Sequence, residues 1–258
     1  MFFVKNRFKN KRKKRFFTIK TLFFSLFIFF FVYLYSSFNK FTDITSYLVQ
    51  EYSTKYNYNL EKIEVFGLRN INKTEILLPL NKFKNYSVFL IPVKKISDEI
   101  KKNKWIHEVN IRNDYKNTLT VNIKEEIPMG IFENNNQRIL FSNNLVVLEI
   151  LDNNHDFKNL IIFYGENSIN NSKNLILKID KDIMRSIKTA TFIENRRWNI
   201  KLKNMIVLKL PEVNIKKAIE NYKKIYSNLS NKELKGIEII DLRIPNQAII
   251  KYRNTLND

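Results

Sequence analysis

The chain has 258 residues, of which 44% are hydrophobic, which is enough for a membrane anchor and one or two compact domains and excludes disorder throughout. It contains no cysteine, so disulfides, thiolate catalysis and thiolate metal sites are excluded. The formal net charge is +20, but ten basic residues precede Asp43, the first acidic residue, and the excess over the rest is milder. The charge is therefore concentrated at one end of the chain and does not by itself indicate a nucleic-acid surface on the domains.

The first element is a basic tail, residues 1–16, which is followed by an apolar segment, residues 17–38. The apolar segment carries a single charge, at Lys20. About 20 apolar residues cross the hydrocarbon core of a bilayer as a helix, so this segment is predicted to be transmembrane. A cleaved signal peptide is the alternative, but its apolar region usually spans about 7–15 residues and ends in small side chains, whereas tyrosines lie near the end here.

The basic tail sets the predicted orientation. Because Lys and Arg are retained on the cytoplasmic side, the N-terminus is predicted to be cytoplasmic and everything after about residue 40 to lie outside. The residues that carry this signal are Lys11, Arg12, Lys13, Lys14 and Arg15. A membrane-tethered protein that binds nucleic acid or anionic lipid through the same arm is the alternative functional class.

Residues 39–60 place Ile44, Tyr47 and Leu48 at helical spacing, which predicts a juxtamembrane helix that prolongs the anchor. Residues 61–128 then predict a strand at KIEVFGL, two short helices, and two strands joined by the turn NDYKN. This order predicts an α+β module in which two helices cover a three-stranded sheet.

Residues 129–253 predict a second, β-rich domain with a C-terminal helix and edge strands. The predicted strands are GIF, RILF, LVVLEI, LIIFYG, ILKI, WNIKLKN, MIVLKL, GIEIIDLRI and QAIIKYR. The predicted helices are DIMRSIKTATFI and NIKKAIENYKKIYSNL, the second with one apolar face. Residues 254–258 are a short polar tail.

Candidate catalytic groups are few. The four glycines, Gly67, Gly130, Gly165 and Gly236, are isolated, so no phosphate-binding loop is predicted. Glu125 and Glu126 are neighbours in a strand, where adjacent side chains point to opposite faces and cannot share a proton. Asp241 beside Arg243 is interpreted as a structural ion pair or a strand-end residue, not as a catalytic group. His107 and His155 have no nearby His or Cys in the sequence and are interpreted as ordinary residues, not metal ligands.

The last strand, QAIIKYR, is predicted to lie at a sheet edge, where unpaired backbone groups can accept a strand from a partner. The alternative is a covered edge whose apolar residues are ordinary core residues. Its side chains should alternate between two faces. Ala248, Ile250 and Tyr252 are predicted on one face, and Ile249, Lys251 and Arg253 on the other.

Several motifs, taken in order, resemble the FtsQ/DivIB family of bacterial cell-division proteins, and the α-proteobacterial members in particular. They are IEVFG, NKTEI, W-I-x-x-V-x-I-R from Trp105, N-T-L-x-V-x-I-x-E-x-x-P from Asn117, L-x-x-x-x-G from Leu160, R-R-W-x-I-x-L from Arg196 and IDLRIPN from Ile240. The chain departs from the family pattern at Lys116, where a proline is usual, and at Ser142 and Leu145, where Asp and Gly are usual.

The resemblance implies a POTRA domain at 61–128, a β domain at 129–253, and a non-enzymatic scaffold role in the inner membrane at the division septum, with the domains in the periplasm. It implies FtsB and FtsL as partners and further contacts to FtsK, FtsW and FtsI, with no cofactor, nucleic acid or small-molecule substrate. FtsB adds a strand to the last strand pair in the family. The positions that correspond to its binding site are Arg196, Arg197, Arg243, Ile244, Ala248, Ile249, Ile250, Lys251 and Tyr252.

Overall fold

The computed structural model describes the backbone of residues 5–253 except 136, 153–156 and 158, and the side chains of the same range except 5–22 and 36–40. The side chains of the basic tail, both ends of the apolar segment 17–38, His155 and the tail 254–258 therefore lie outside the described part of the chain.

The first element is the helix α1, Lys5–Lys55. It continues past residue 40 to Lys55, so the helix predicted within residues 39–60 is present up to that residue. Every side chain from Phe23 to Tyr35 is exposed. Among the residues that the structure describes, no helix has an apolar stretch long enough to cross a membrane.

The packing divides the chain into two compact units. The first unit comprises Met1–Phe66, Lys73–Ser97 and Asn110–Asn122. The second comprises Gly67–Asn72, Asp98–Val109 and Ile123–Asp258.

After α1 come the strand, helix, helix, strand and strand that the sequence predicts. They are β1 (Lys62–Phe66), α2 (Lys73–Asn81), α3 (Val93–Ile100), β2 (Ile106–Asn113) and β3 (Thr118–Glu125). The strands form a three-stranded sheet in the order β1-β3-β2, with β1 parallel to β3. Alternate residues of β3, including Leu119 and Val121, are fully buried, as the period of two requires.

The turn between β2 and β3 is fixed by Asp114. Its carboxylate accepts hydrogen bonds from the backbone N–H groups of Lys116 at 2.8 Å, Asn117 at 3.1 Å and Thr118 at 3.0 Å. This is the NDYKN turn that the sequence predicts, and Tyr115 within it has a positive φ of 58°.

The remaining elements build the β-rich domain. They are β4 (Pro128–Glu133), β5 (Arg138–Ser142), β6 (Val147–Ile150), β7 (Ile161–Tyr164), α4 (Ser168–Leu177), α5 (Lys181–Ser186), β8 (Ile187–Ile193), β9 (Arg197–Leu202), β10 (Val207–Lys209), α6 (Ile215–Asn228), α7 (Asn231–Gly236), β11 (Ile237–Asp241) and β12 (Ile249–Tyr252). Within the described residues the strands form one sheet, in the order β12-β11-β10-β9-β8-β7-β4-β5-β6.

The core of this domain lies between the sheet and its helices. Trp198 of β9 is buried and contacts Phe163 and Phe192 with ring centroids 5.9 and 4.6 Å apart. Ile219 and Tyr222 of α6 belong to the same cluster. The predicted apolar face of this helix is therefore its buried face.

Two predicted elements are wrong. ILKI, residues 176–179, is not a strand, because its first two residues end α4 and the other two follow that helix. The buried residues of α4, Ser168, Ser172 and Leu175, recur at the spacing of a helix. DIMRSIKTATFI is helical only through Ser186, since Ile187–Ile193 forms β8 and pairs with β7 and β9. Pairing on both sides supplies this segment with the backbone hydrogen bonds that a helix would otherwise provide.

Candidate partner-binding site

The predicted edge strand is present. Among the described strands, β12 has a neighbour on one side only, β11, with Ile240 opposite Ile250 and Asp241 opposite Ile249. Ala248 and Ile250 pack against the core cluster, while Ile249 is 58% exposed. The predicted alternation of faces is thus confirmed for these three residues.

The backbone of β12 presents hydrogen-bonding groups along its free side. The N–H of Arg253 donates to the carbonyl of Gly236 at 2.8 Å, which turns this residue towards β11. Residues of an antiparallel strand alternate in direction, so the N–H and C=O groups of Ile250 and Tyr252 point away from β11. These groups form a template to which another strand could be added.

Arg196 and Arg197 lie at the hairpin between β8 and β9. Glu194 and Asn195 have positive φ angles of 51° and 54°, and the N–H of Arg196 donates to the carbonyl of Ile193 at 3.1 Å. This is the geometry of a type I′ turn, the turn that best matches the twist of a two-stranded hairpin.

Glu194 is the counter-ion of both arginines, and it is a site residue that the sequence interpretation missed. Its carboxylate lies 2.6 Å from Arg196 Nη2 and 3.6 Å from Arg197 Nη2. The hydrogen bond from Arg196, with the charge of Arg197, lowers the pKa of Glu194. The acidic and basic residues are adjacent in the sequence E-N-R-R, residues 194–197. The turn that brings them together lacks the Asn-Gly or Asp-Gly pair that usually marks a type I′ turn, so the sequence does not predict it.

Arg243 follows the end of β11 and forms the predicted ion pair with Asp241. Its Nε donates to Asp241 Oδ1 at 2.8 Å and its Nη2 to Oδ2 at 2.6 Å. Hydrogen bonding from Arg243 outweighs the opposing effect of burial and lowers the pKa of Asp241. A bidentate pair of this kind holds the guanidinium in one orientation.

The arginines of the candidate site and the first residue of β12 lie on the same side of the sheet, where β9 and β12 begin and β10 and β11 end. The pairing register places Asn199, Lys209, Asp241 and Ile249 in one row across β9, β10, β11 and β12. Because neighbouring strands are about 4.8 Å apart, roughly 15 Å separates β9 from β12 at this end. Arg197, Arg243 and the start of β12 are therefore close enough for one partner segment to reach all three.

Ile244 lies in the loop between β11 and β12 and is 46% exposed. Beside it is a small cavity of about 130 Å³, which the start of α6 and this loop enclose. Its lining includes Pro211, Val213, Leu242, Ile244 and Pro245. The lining also contains polar and charged residues, namely Asn214, Lys217, Asn221, Arg243 and Asn246. The cavity has the size for one side chain of a partner.

The two neighbouring carboxylates that the sequence offers have separate partners. Glu125 accepts from the backbone N–H groups of Arg69 at 2.8 Å and Ile71 at 3.1 Å. Glu126 is buried and accepts from Asn144 Nδ2 at 2.9 Å, and its other oxygen lies 3.1 Å from His107 Nδ1. Within the described part of the chain, no three His, Cys, Asp or Glu side chains form a group that could hold a metal.

Comparison with known proteins shows which family the chain resembles. Residues 130–243 match the family model described as cell division protein FtsQ/DivIB, C-terminal, and residues 58–126 match the FtsQ-type POTRA domain. The cell division protein FtsQ of Rickettsia felis is 30% identical over 230 residues, which cover 86% of this chain and 84% of that protein. The chain belongs to the FtsQ/DivIB family of cell division proteins.

Other relatives carry the same name. FtsQ of Rickettsia conorii is 30% identical over 81% of this chain and 78% of its own length. FtsQ of Agrobacterium fabrum is 24% identical over 81% of this chain and 63% of its own length. The family resemblance of the motifs is thereby confirmed, and the fold of this FtsQ-type chain is a POTRA domain followed by a β-rich domain.

The solved structures that resemble the chain include the major extracytoplasmic domain of the trans isomer of the cell division protein DivIB from Geobacillus stearothermophilus. The match covers 42% of this chain and 99% of that one, at 8% identity and a TM-score of 0.32.

Proposed function

We propose that this FtsQ-type chain is a non-enzymatic scaffold of the division septum that binds FtsB, together with FtsL, by strand addition to β12. Further contacts would link it to FtsK, FtsW and FtsI. Membership of the family supports the role in division. The observation that carries the binding mode is the free side of β12, with outward N–H groups at Ile250 and Tyr252 and an exposed Ile249.

The charges at the same end of the sheet indicate the kind of segment that binds. Arg196 and Arg243 have side chains that are 52% and 40% exposed, and each is held by a carboxylate of this chain. An acidic residue of the partner can approach these pre-oriented guanidinium groups with little loss of side-chain entropy. The partner segment is therefore proposed to combine an extended strand with an acidic residue near its end.

Replacing Ile250 tests the backbone mechanism. Ile250→Pro removes an N–H that points away from β11, so the sheet keeps its own hydrogen bonds while the added strand loses one. Ile250→Ala is the matched control, because it removes the same side chain but keeps the N–H. Co-purification with FtsB should be lost with Pro and retained with Ala, and circular dichroism should show both variants folded. Retained binding by a folded Ile250→Pro would refute strand addition.

The proposal places residues 17–38 across the inner membrane, with the N-terminus in the cytoplasm and the domains in the periplasm. It is supported by the uncharged stretch Phe23–Tyr35, which is helical and exposed, and by the basic residues before it. External protease should digest the domains in spheroplasts but not in intact cells. Protection in spheroplasts would contradict this orientation.

Deleting residues 5–15 separates the scaffold from a binder of nucleic acid or anionic lipid. If the protein binds nucleic acid or anionic lipid, the deletion should abolish binding of that ligand, because the basic arm would be the ligand site. If the protein is a scaffold, FtsB binding by the purified protein should be unchanged.

A further inference from the structure

The C-terminal end of α1 is held to the rest of the first unit by polar side chains. Ser53 is buried, and its Oγ lies 2.6 Å from Ser87 Oγ. Gln50 Oε1 accepts from the N–H of Ser87 at 2.8 Å, and Gln50 Nε2 donates to the carbonyl of Asn85 at 3.2 Å. We call these four residues, Gln50, Ser53, Asn85 and Ser87, the α1 clamp.

The α1 clamp fixes the rotation of α1 about its own axis. A hydrogen bond weakens steeply outside a narrow range of distance and angle, whereas apolar burial has no preferred direction. Gln50 and Ser53 are three residues apart, so they lie on the same face of the helix in successive turns. Rotation of α1 by a fraction of a turn would break the bonds of both and leave buried polar groups without partners, which costs free energy.

The residues after α1 are hydrogen-bonded to the first unit from the end of the helix onwards. The helix ends in a Schellman motif, in which Asn57 has a positive φ of 60° and the N–H of Tyr58 donates to the carbonyl of Ser53 at 2.8 Å. The carbonyl of Tyr58 in turn accepts from the N–H of Val88 at 3.0 Å. The chain therefore passes from α1 into the first strand region without a loose segment.

We infer that α1 is a rigid connection between the membrane and the first unit, so that the tilt and rotation of the membrane segment set the direction in which this unit faces. The inference rests on the proposed membrane anchor. α1 is one helix from Lys5 to Lys55, so a single helix carries both the proposed anchor and two residues of the α1 clamp. A partner that tilts the anchor within the membrane would thereby move the unit outside it.

The length of the connection determines how far such a movement is carried. From position 38, where the proposed anchor ends, to Gln50 the helix extends about 18 Å at 1.5 Å per residue. Membrane helices are tilted by about 20° on average, and a change of this size would move the α1 clamp sideways by roughly 6 Å. This displacement exceeds the spacing of about 4.8 Å between neighbouring strands, so it is large enough to make or break a contact with a partner.

The weakest part of the connection is the segment of α1 between the proposed anchor and the α1 clamp. Residues 42–46 include none of the strongest helix formers. Thr45 Oγ1 donates to the carbonyl of Thr42 and Ser46 Oγ to that of Asp43, both at 2.9 Å, and bonds of this kind can bend a helix. The segment is nevertheless helical, because it continues a longer helix and needs no nucleus of its own.

Distances between two spin labels in the full-length protein, reconstituted in lipid nanodiscs, test the inference. The chain has no cysteine, so Val32→Cys and Leu78→Cys, both at exposed positions, place one label in the proposed anchor and one on α2. Thr45→Gly with Ser46→Gly provides a flexible reference, because glycine weakens the helix, and Thr45→Ala with Ser46→Ala provides a stiff one.

The width of the distance distribution is the quantity compared. The otherwise unchanged chain should give a distribution as narrow as that of the alanine pair, and the glycine pair should give one about twice as wide. A clear excess of width over the alanine pair would show that the segment is already a joint and would overturn the inference. Equal widths for all three chains would overturn it as well.

Removal of one side chain of the α1 clamp tests where the rigidity arises. Gln50→Ala should widen the distribution about as much as the glycine pair does, because it removes the bonds to Ser87 and Asn85. Glu51→Ala, at the exposed neighbouring position, is the matched control and should leave the width unchanged. Equal widths for these two variants would overturn the role assigned to the α1 clamp.

Two further measurements separate failure of this inference from failure of the proposed function. A single label at position 32 should be reached by oxygen dissolved in the lipid and not by a water-soluble relaxation agent, and the reverse would overturn the anchor and the inference together. FtsB binding in the same nanodiscs should be unchanged by the glycine pair, because β12 lies in the second unit. A wide distribution in an inserted chain that binds FtsB counts against the rigid connection alone.

Discussion

The two edge strands of the sheet in the β-rich domain, β6 and β12, differ in how they expose their backbone hydrogen-bonding groups. β6 has four residues and carries a bulge, since Leu140 pairs with Glu149 but the next residue, Phe141, pairs with Val147. Leu148 is therefore the extra residue of the edge strand itself. β12 also lies beside a bulge, but there the extra residue is Glu238 of the neighbouring strand β11.

The position of the bulge decides which edge can accept a strand. A bulge within an edge strand breaks the alternation of its outward N–H groups and twists it, which is a common protection against unwanted pairing. β12 keeps a regular alternation from Ile249 to Tyr252, because the irregularity is absorbed one strand further in. Exposed apolar residues do not distinguish the two edges, since Ile150 of β6 is 61% exposed and Ile249 of β12 is 58% exposed.

Introducing a bulge into β12 should cause the largest loss of FtsB affinity. Insertion of one glycine between Ile250 and Lys251 shifts the outward groups beyond the insertion by one residue and puts their side chains on the wrong face. FtsB affinity should fall about tenfold to a hundredfold, as measured by titration with the purified periplasmic part of FtsB.

The control uses the other edge. Val147→Pro alters the backbone of β6 and should leave FtsB affinity unchanged. If this variant loses as much affinity as the insertion while remaining folded, the two edges are not distinct and the argument from the bulges is wrong.

A smaller effect is expected from the charges at the end of the sheet. Arg197→Glu places a second acidic group beside Glu194 and repels an acidic partner segment. FtsB affinity should fall severalfold, and the loss should shrink as salt rises, because the pair is partly exposed. Lys188→Glu makes the same charge change near the other end of β8. An equal loss with Lys188→Glu would show that net charge, not the position of Arg197, governs binding.

The sequence predicts the POTRA domain well and the β-rich domain less well, for one physical reason. In β3 and α3 the apolar spacing is unambiguous, and Ile96 and Ile100 of α3 are buried. In Ile187–Ile193 the apolar residues fit a helix or a strand, and pairing with β7 and β9 decides between them. The short helix α7 was missed although its capping box, Ser230 with Glu233, is visible in the sequence.

The candidate site is predictable in part. The pair of Asp241 with Arg243 follows from local sequence and is confirmed. The predicted edge position of β12 is also confirmed among the described strands, although it depends on how the other strands are arranged. The pairing of Glu194 with both arginines depends on a turn in which Glu194 and Asn195 have positive φ angles. The bulge at Glu238 depends on how β11 pairs with β12. Information of this kind is not local, so the sequence alone does not provide it.

The ion pair of Asp241 gives a pH-dependent prediction. Its pKa is lowered in the folded chain, mainly by hydrogen bonds from Arg243. The stability that it contributes is therefore complete above the unfolded pKa of about 3.9 and is lost as pH falls through the lower folded pKa. Asp241→Asn should lower the free energy of unfolding at neutral pH by about 1 kcal/mol or less, because Arg243 is partly exposed.

Urea unfolding at several pH values measures this effect. The difference between Asp241→Asn and the original chain should vanish in acid, where both side chains are neutral. Glu220→Gln, at an exposed position of α6, is the control and should show no such convergence. A difference that persists below the folded pKa would mean that Asp241 acts through packing and not through its charge.

The smallest effect on stability is expected from the ion pair between Lys251 of β12 and Glu238, the bulge residue of β11. Lys251 Nζ lies 2.8 Å from Glu238 Oε2, and the two side chains are 61% and 42% exposed. Lys251→Ala and Glu238→Ala should therefore each change stability by only about 0.2–1 kcal/mol. Binding separates their roles. If Lys251 contacts the added strand, Lys251→Ala weakens FtsB binding and Glu238→Ala does not, because only the lysine lies on the edge strand. Equal losses would instead mean that the pair serves to hold β12 in register.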